Sequence, residues 1–206
     1  MAWTPNCIVQ LKMYTKTIMS GPGFSEISAV VPTGGKRPEE LANVVAHLKS
    51  LGFGEVLVGN KGHRMMNRYD TILEAKFDII YTQDDDCIIH NINELIGLYK
   101  PERIIANIKQ AHLNSYDIIS GGKLILVGWG AVFHKSLVDF SKYLAKFPED
   151  ELFYREADRI FTWLNPHDVL VRDTSIKDFP SAYGGMSVED EHFNTMLEAI
   201  KNLKQL

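Results

Sequence analysis

Cysteine is scarce in this 206-residue chain: Cys7 and Cys87 are the two, far apart and without metal-ligand spacing. That pattern points to reduced thiols in a cytoplasmic setting. Positive charge is also in short supply, 22 Lys and Arg against 26 Asp and Glu for a net charge of -4. Without a basic excess or a local basic patch there is no general attraction for phosphate backbones, so nucleic acid is a poor partner. Long apolar runs are missing too. The longest, Leu124 to Phe133, is about ten residues with glycines inside it, too short for a transmembrane segment, and the amino end lacks the parts of a signal peptide. No G-x-S-x-G, H-E-x-x-H or C-x-x-C occurs, which removes the local signatures of serine hydrolases, zincins and thiol redox proteins. There is no internal repeat and no low-complexity segment.

What is present is an ordinary globular composition, 45% apolar and 23% charged, enough for one domain over residues 1–206 with an ordered core from about 26 to 203. Glu26 to Val31 reads as a β-branched strand. Leu41, Val44, Val45, Leu48 and Leu51 follow at helical spacing, with Pro38, Glu39 and Glu40 suited to a first turn. Glu55 to Asn60 reads as a strand, Tyr69 to Ala75 as a short helix, and Asp78 to Gln83 as a third strand. Beyond a helix over Ile92 to Leu98, short apolar runs at Tyr116 to Ile119 and Leu124 to Val127 predict further strands, and helices return at Lys135 to Tyr143 and Glu151 to Leu164. The second of these places Phe153, Ala157, Ile160, Phe161 and Leu164 inward and leaves Arg155, Glu156, Asp158 and Arg159 to other faces. A last helix opens at a capping box of Ser187 and Asp190 and carries Phe193, Met196, Leu197, Ile200 and Leu203 on one face. Strands alternating with helices predict an α/β fold, a mixed central sheet covered by helices.

The chemistry is concentrated in Asp84-Asp85-Asp86, directly after the third strand. Adjacent carboxylates repel, so a fold keeps them together in water or around a cation, and oxygen ligands favour Mn2+ or Mg2+. In open α/β sheets the ligand crevice lies beyond the carboxyl ends of strands, which is where this triplet falls. On the same rim, Pro32-Thr-Gly-Gly-Lys-Arg-Pro38 joins the first strand to the first helix. It is neither a Walker loop nor a G-x-G-x-x-G fingerprint; it suits a nucleotide, and equally a tight turn with solvated Lys36 and Arg37. Asn60 and Arg68 lie there as well, Arg68 as a phosphate partner or as a structural ion pair. Gly128-Trp129-Gly130-Ala131 could let a substrate ring approach while Trp129 stacks on it, or could simply pack a sharp turn. His192, near a Gly184-Gly185 loop, suits a metal ligand, a phosphate donor or a surface position.

In series, Ser28-Ala-Val-Val-Pro-Thr33, Asn67-Arg-Tyr69, Asp84-Asp-Asp86, Gly130-Ala-Val-Phe-His-Lys135, Arg155-Glu-Ala-Asp158 and Gly184-Gly-Met-Ser187 with His192 resemble the GT-A glycosyltransferases. Within that fold they are similar to the exostosin-type retaining N-acetylhexosaminyltransferases. The resemblance implies a UDP-sugar donor held by Pro32, Thr33, Arg37, Asn60, Arg68, Asp84 and Asp85, and a glycan or other hydroxyl acceptor near Trp129, Gly130 and Ala131. It further implies Mn2+ (or Mg2+) on Asp86 and His192, and Asp158 with Glu156 at the reacting centre. Ala157 stands where the family carries the first acid of a pair. Two other readings remain open at this point, a sugar-1-phosphate nucleotidyltransferase and a non-catalytic nucleotide-sugar-binding module.

Overall fold

The computed structural model describes residues 21–60, 65–180 and 190–206, with backbone alone for 190–192. Six strands form a mixed sheet: β1 (Ile27–Pro32), β2 (Glu55–Gly59), β3 (Ile79–Thr82), β5 (Ile104–Ile108), β6 (Ala131–His134) and β7 (His167–Val171) in the order β2-β1-β3-β6-β5-β7. Strand β1 is parallel to β2 and β3, β6 is antiparallel to both β3 and β5, and β7 is parallel to β5. All strands except β6 therefore point the same way, and their carboxyl ends share one edge. A two-stranded antiparallel sheet, β4 (Cys87–Ile89) with β8 (Ile176–Asp178), sits just past the acidic triplet.

Alternation along the strands builds two core layers. Ile27, Ala29 and Val31 of β1, Tyr81 of β3 and Val132 of β6 face one side, where they meet Val44 and Leu48 of α1 (Pro38–Ser50) and Ile92, Leu95 and Ile96 of α3 (Ile92–Gly97). Val30, Ile80, Ala131 and Phe133 face the other, against Tyr69 and Ile72 of α2 (Met66–Leu73) and Phe153, Ala157, Ile160 and Phe161 of α6 (Glu151–Leu164). Each such side chain stabilises the fold by about 1.5–3 kcal/mol of burial, and the period of two obliges the sheet to be covered on both faces. The expected mixed sheet, covered by helices, is the observed one.

Several elements differ from the sequence expectation. Tyr116 to Ile119 is not a strand; it lies in helix α4 (Gln110–Ser120), which ends on Gly121 in the left-handed region. Leu124 to Val127 is buried but irregular, without a ladder. The helix expected over Lys135 to Tyr143 is a 3-10 turn, Lys135–Leu137, followed by short α5 (Ser141–Leu144). Helix α6 keeps its expected bounds, and the Asp150 side chain caps it by accepting from the Phe153 amide. It also buries Arg155 and Glu156, and the backbone at Glu156 leaves helical geometry (φ -109, ψ 16). On α7 (Asp190–Leu203), Met196, Ile200 and Leu203 are buried while Phe193 and Leu197 are exposed, so the apolar face is narrower than its spacing suggests. The Ser187 cap and the Gly184-Gly185 loop lie outside the described residues. Among the described residues, no helix is long and apolar enough to cross a membrane.

Candidate functional site

The three aspartates follow β3 in the turn into β4, and hydrogen bonds hold this turn on both sides. The Asp84 amide donates to the Gly128 carbonyl at 2.8 Å, the Phe179 amide donates to the Asp86 carbonyl at 2.9 Å, and the buried Gln83 amide nitrogen donates to the Cys87 carbonyl at 2.7 Å. Gly128 is required here by close approach: a Cβ on it would lie 2.1 Å from Asp84 Oδ2. The three carboxylates, adjacent in sequence, then part company.

Asp84 accepts from Arg68 Nη2 at 2.6 Å. Asp85, nearly buried, accepts from the Thr33 hydroxyl at 2.6 Å and from Arg37 Nη1 at 3.3 Å. Asp86 has the same Arg37 Nη1 at 3.3 Å, and a quarter of its side chain is exposed. Burial, with the carboxylates of Asp84, Asp85 and Asp178 nearby, pushes Asp86 up to about 6 despite Arg37. Arg37 occupies the N-cap position of α1, so the β1–α1 loop turns its cation onto the acid cluster.

The deepest part of the site is Arg68, whose side chain is fully buried. Its Nε and Nη2 donate to Asp158 Oδ1 and Oδ2 at 3.1 and 3.2 Å, Nη2 also reaches Asp84, and Nη1 donates to the Thr82 hydroxyl at 2.8 Å. Thr82 in turn donates to the Val30 carbonyl at 2.8 Å, which ties the guanidinium to the sheet. The Tyr69 hydroxyl donates to Asp158 Oδ1 at 2.7 Å. Burial raises the Asp158 carboxyl above its ordinary range, with Arg68 pulling the other way and Asp84 adding to the rise. Flanking carboxylates hold the Arg68 guanidinium more firmly protonated than usual, against its burial.

The structure thus brings together Thr33, Arg37, Arg68, Asp84, Asp85, Asp86 and Asp158. Pro32 ends β1 beside them, and Asn60 is exposed on the rim after β2. It does not bring in Glu156, which is fully buried on the side of α6 facing α7, paired with Arg159 and accepting from the Thr195 hydroxyl at 3.1 Å. Gly130 and Ala131 are buried in sheet packing; Gly130 has φ +91, and a Cβ there would sit 3.1 Å from the Tyr81 hydroxyl. The Trp129 ring carries the Lys109 ammonium 4.7 Å from its centroid and the His112 ring edge-on at 4.7 Å. Lys109 pairs with Asp178, so this ring stands in a wall beside the acidic turn. His192 lies in the first turn of α7; its side chain is outside the described residues. Tyr69 and Thr82 were missed as site residues, since an aromatic and a threonine in apolar segments read as core until the helix on which Asp158 sits is placed.

Among the described residues no group of three His, Cys, Asp or Glu side chains is arranged to hold a metal ion unaided. The donor set still fits a hard cation that completes its shell with ligand oxygens and water: two partly exposed carboxylates, Asp84 and Asp86, in surplus negative charge. Two clefts, of about 760 and 710 Å³, lie elsewhere, the first near the amino ends of β5 and β7 and the second between α4 and β7; neither contains a residue of the acidic cluster.

No family model matches the sequence, and no curated protein does. Among solved structures, the chain is similar to the catalytic domain of Drosophila β1,4-galactosyltransferase 7 in complex with xylobiose, at 18% identity and a TM-score of 0.44 over 69% of this chain and 63% of that one. It is also similar to a mutant of that enzyme in complex with manganese, UDP-Gal and xylobiose, at 17% identity and a TM-score of 0.43 over 74% and 70%. The matched part spans just under two thirds of the first of these chains. Both likenesses are weak, and the reading of the site rests on its own residues.

Proposed function

We propose that the protein is a metal-dependent glycosyltransferase of the GT-A type, moving a sugar from a UDP-sugar to a hydroxyl of a glycan or other acceptor. One observation carries the reading. Three adjacent carboxylates at the carboxyl edge of the sheet are held by Arg68, Thr33 and a shared Arg37; Asp84 and Asp86 both keep a partly exposed side chain, and around Asp86 three carboxylates outnumber that one guanidinium. A turn built to hold acids in place, with one of them short of positive charge, is suited to a nucleoside diphosphate that arrives with a divalent cation.

The resemblance of the sequence to the exostosin type supports an N-acetylhexosamine as the transferred group, retention at the anomeric carbon, and His192 as a second protein ligand beside Asp86. When bound, Mn2+ or Mg2+ would neutralise the charge that grows on the departing diphosphate. Thr33, Arg37 and Asp85 shape the nucleotide side of the site, Arg68 fixes Asp84 and Asp158 relative to one another, and Asp158 faces the reacting centre. Transfer forms the bond from the acceptor oxygen to the anomeric carbon and breaks the bond to phosphate, which takes the acceptor's proton. Glu156, buried against α7, has a structural role in this reading.

The test is incubation with a panel of UDP-sugars, Mn2+ and simple glycoside acceptors. Release of UDP that requires both metal and acceptor is expected. Pyrophosphate exchange without UDP release would instead identify a nucleotidyltransferase, and tight binding with no release would identify a binding module.

A further inference from the structure

The cleft of about 760 Å³ at the amino ends of β5 and β7 is lined by Arg103, Lys123, Lys142 and Lys204, and no Asp or Glu stands among its described lining residues. The second cleft, by contrast, mixes Lys100 with Asp117 and Asp168. In a chain of net charge -4, four cations around one cavity reverse the sign locally. They come from four stretches of chain, ahead of β5, after α4, on α5 and just past α7, so no basic run announces them in the sequence.

Lysines near helix carboxyl ends commonly serve the last carbonyls, and α4, α6 and α7 all end at this cleft. Those carbonyls have other donors. The Gly121 amide donates to the Asp117 carbonyl at 2.9 Å, Asn165 Nδ2 to the Phe161 carbonyl at 2.9 Å, and the Lys204 and Leu206 amides to the Ile200 and Leu203 carbonyls at 3.0 and 3.1 Å. Lys123, Lys142 and Lys204 are exposed, and the Lys123 ammonium stands 4.8 Å from the centroid of the Trp163 ring, which also lines the cleft. Arg103 is paired with Asp168 at 2.7 Å. Each helix end offsets about half a charge, and any carboxylate at Leu206 has Lys146 beside it, donating to the Gln205 carbonyl at 2.8 Å. The three lysines therefore leave the cleft positive.

We propose that this cleft binds a phosphate group, carried by a soluble phosphate ester or by the headgroup of an anionic lipid. Ammonium groups are compact point charges on flexible stems, suited to gathering around one oxyanion from several directions. Trp163, Leu164 and Leu203 supply an apolar wall for the rest of such a ligand. The site is independent of the transferase reading: it lies at the opposite end of the sheet from the acid cluster, about 17 Å away for a five-residue strand. An anionic surface attracts this end and repels the acidic rim, so a docked molecule turns Asp84, Asp85 and Asp86 away from it.

The test uses the metal-free chain. Glycerol 1-phosphate is titrated in by calorimetry, and in parallel the protein is floated with vesicles of phosphatidylcholine alone and of phosphatidylcholine mixed with phosphatidylglycerol. Wild type should bind the phosphate ester or the mixed vesicles, and Lys123→Gln, Lys142→Gln and Lys204→Gln combined should weaken binding by about a hundredfold, at about fivefold per basic residue. A matched variant, Lys49→Gln, Lys76→Gln and Lys177→Gln, removes the same charge from exposed positions elsewhere and should keep most of the affinity. Binding of glycerol 1-phosphate assigns the site to a soluble ester, and binding to the mixed vesicles alone assigns it to a lipid headgroup. Failure of both probes to bind, or equal losses in the two triple variants, overturns the proposal.

Discussion

Asp86 differs from its two neighbours in what compensates it, and that difference has measurable consequences. Asp84 has the buried guanidinium of Arg68 and Asp85 has Thr33 and Arg37, whereas Asp86 shares Arg37 and meets three carboxylates. Asp86→Asn removes charge at nearly constant volume; calorimetry of UDP with Mn2+ should show affinity falling by tenfold or more while the far-UV spectrum stays that of wild type. Unchanged affinity would take the cation away from this residue. In metal-free protein burial and the neighbouring carboxylates push the folded carboxyl up to about 6, from an ordinary 3.8. Its proton is thus held more tightly in the folded state, and the ionised form is a cost of up to about 3 kcal/mol, fully present above pH 6 and relieved as pH falls toward 4. Melting in chelator should show wild type gaining on Asp86→Asn as the pH is lowered through that window; parallel curves for the two proteins would contradict the assignment. The acid triplet and Arg68 stand out in the sequence as charge beside strand ends, whereas Asp158 reads there as one more polar residue of a helix and is singled out only by the resemblance. Tyr69 does not stand out, because its hydroxyl meets Asp158 only when α6 lies against α2.

Helices and strands show where local sequence stops deciding. Phe77-Asp-Ile-Ile80 leads into β3, while the closely similar Tyr116-Asp-Ile-Ile119 lies in α4 with Ile118 exposed to solvent. Inside the four residues themselves, only Phe against Tyr separates them. The first runs between β1 and β6 with ladders on both sides, and the second has no neighbouring strand and closes on a left-handed glycine, so tertiary context outweighs β-propensity. Helix α6 was legible to the residue because its apolar stripe runs its whole length. Its interior was not, since the spacing gives no sign of the departure from helical geometry at Glu156 or of the burial of Arg155 and Glu156. Glu156 meets Arg159 one turn on, as i,i+3 residues do, and Thr195 of α7, while Asp158 meets α2. Removing one partner of a buried ion pair strands the other charge, so Glu156→Ala should lower stability by on the order of 3 kcal/mol, read by denaturant midpoint, with UDP affinity of the folded fraction unchanged. A loss of affinity without loss of stability would return Glu156 to the site.

At the level of the whole molecule, the nucleotide side and the reacting side belong to different parts of the chain. Thr33 and Arg37 come from the β1–α1 connection, the three aspartates from the turn after β3, and Asp158 from α6, which is brought to them by Arg68 and Tyr69 of α2. Because no group of three described His, Cys, Asp or Glu side chains can hold an ion by itself, the cation and the diphosphate should each complete the other's site. This makes a linkage prediction. A ligand that binds only the folded state stabilises it by RT ln(1 + [L]/Kd), about 2.7 kcal/mol at a hundredfold excess over Kd, and two ligands that assist one another stabilise by more than the sum of their separate effects. Thermal midpoints taken with Mn2+ alone, UDP alone and both together should therefore show little shift for the ion, a modest one for the nucleotide, and several degrees beyond their sum for the pair. In Asp86→Asn the excess should vanish while the modest effect of UDP alone remains, because Thr33 and Asp85 are untouched and Arg37 keeps its contact with Asp85. A full shift with Mn2+ alone would mean that the protein holds its ion before any nucleotide arrives, and the division of labour drawn between Asp86 and the diphosphate would have to be abandoned.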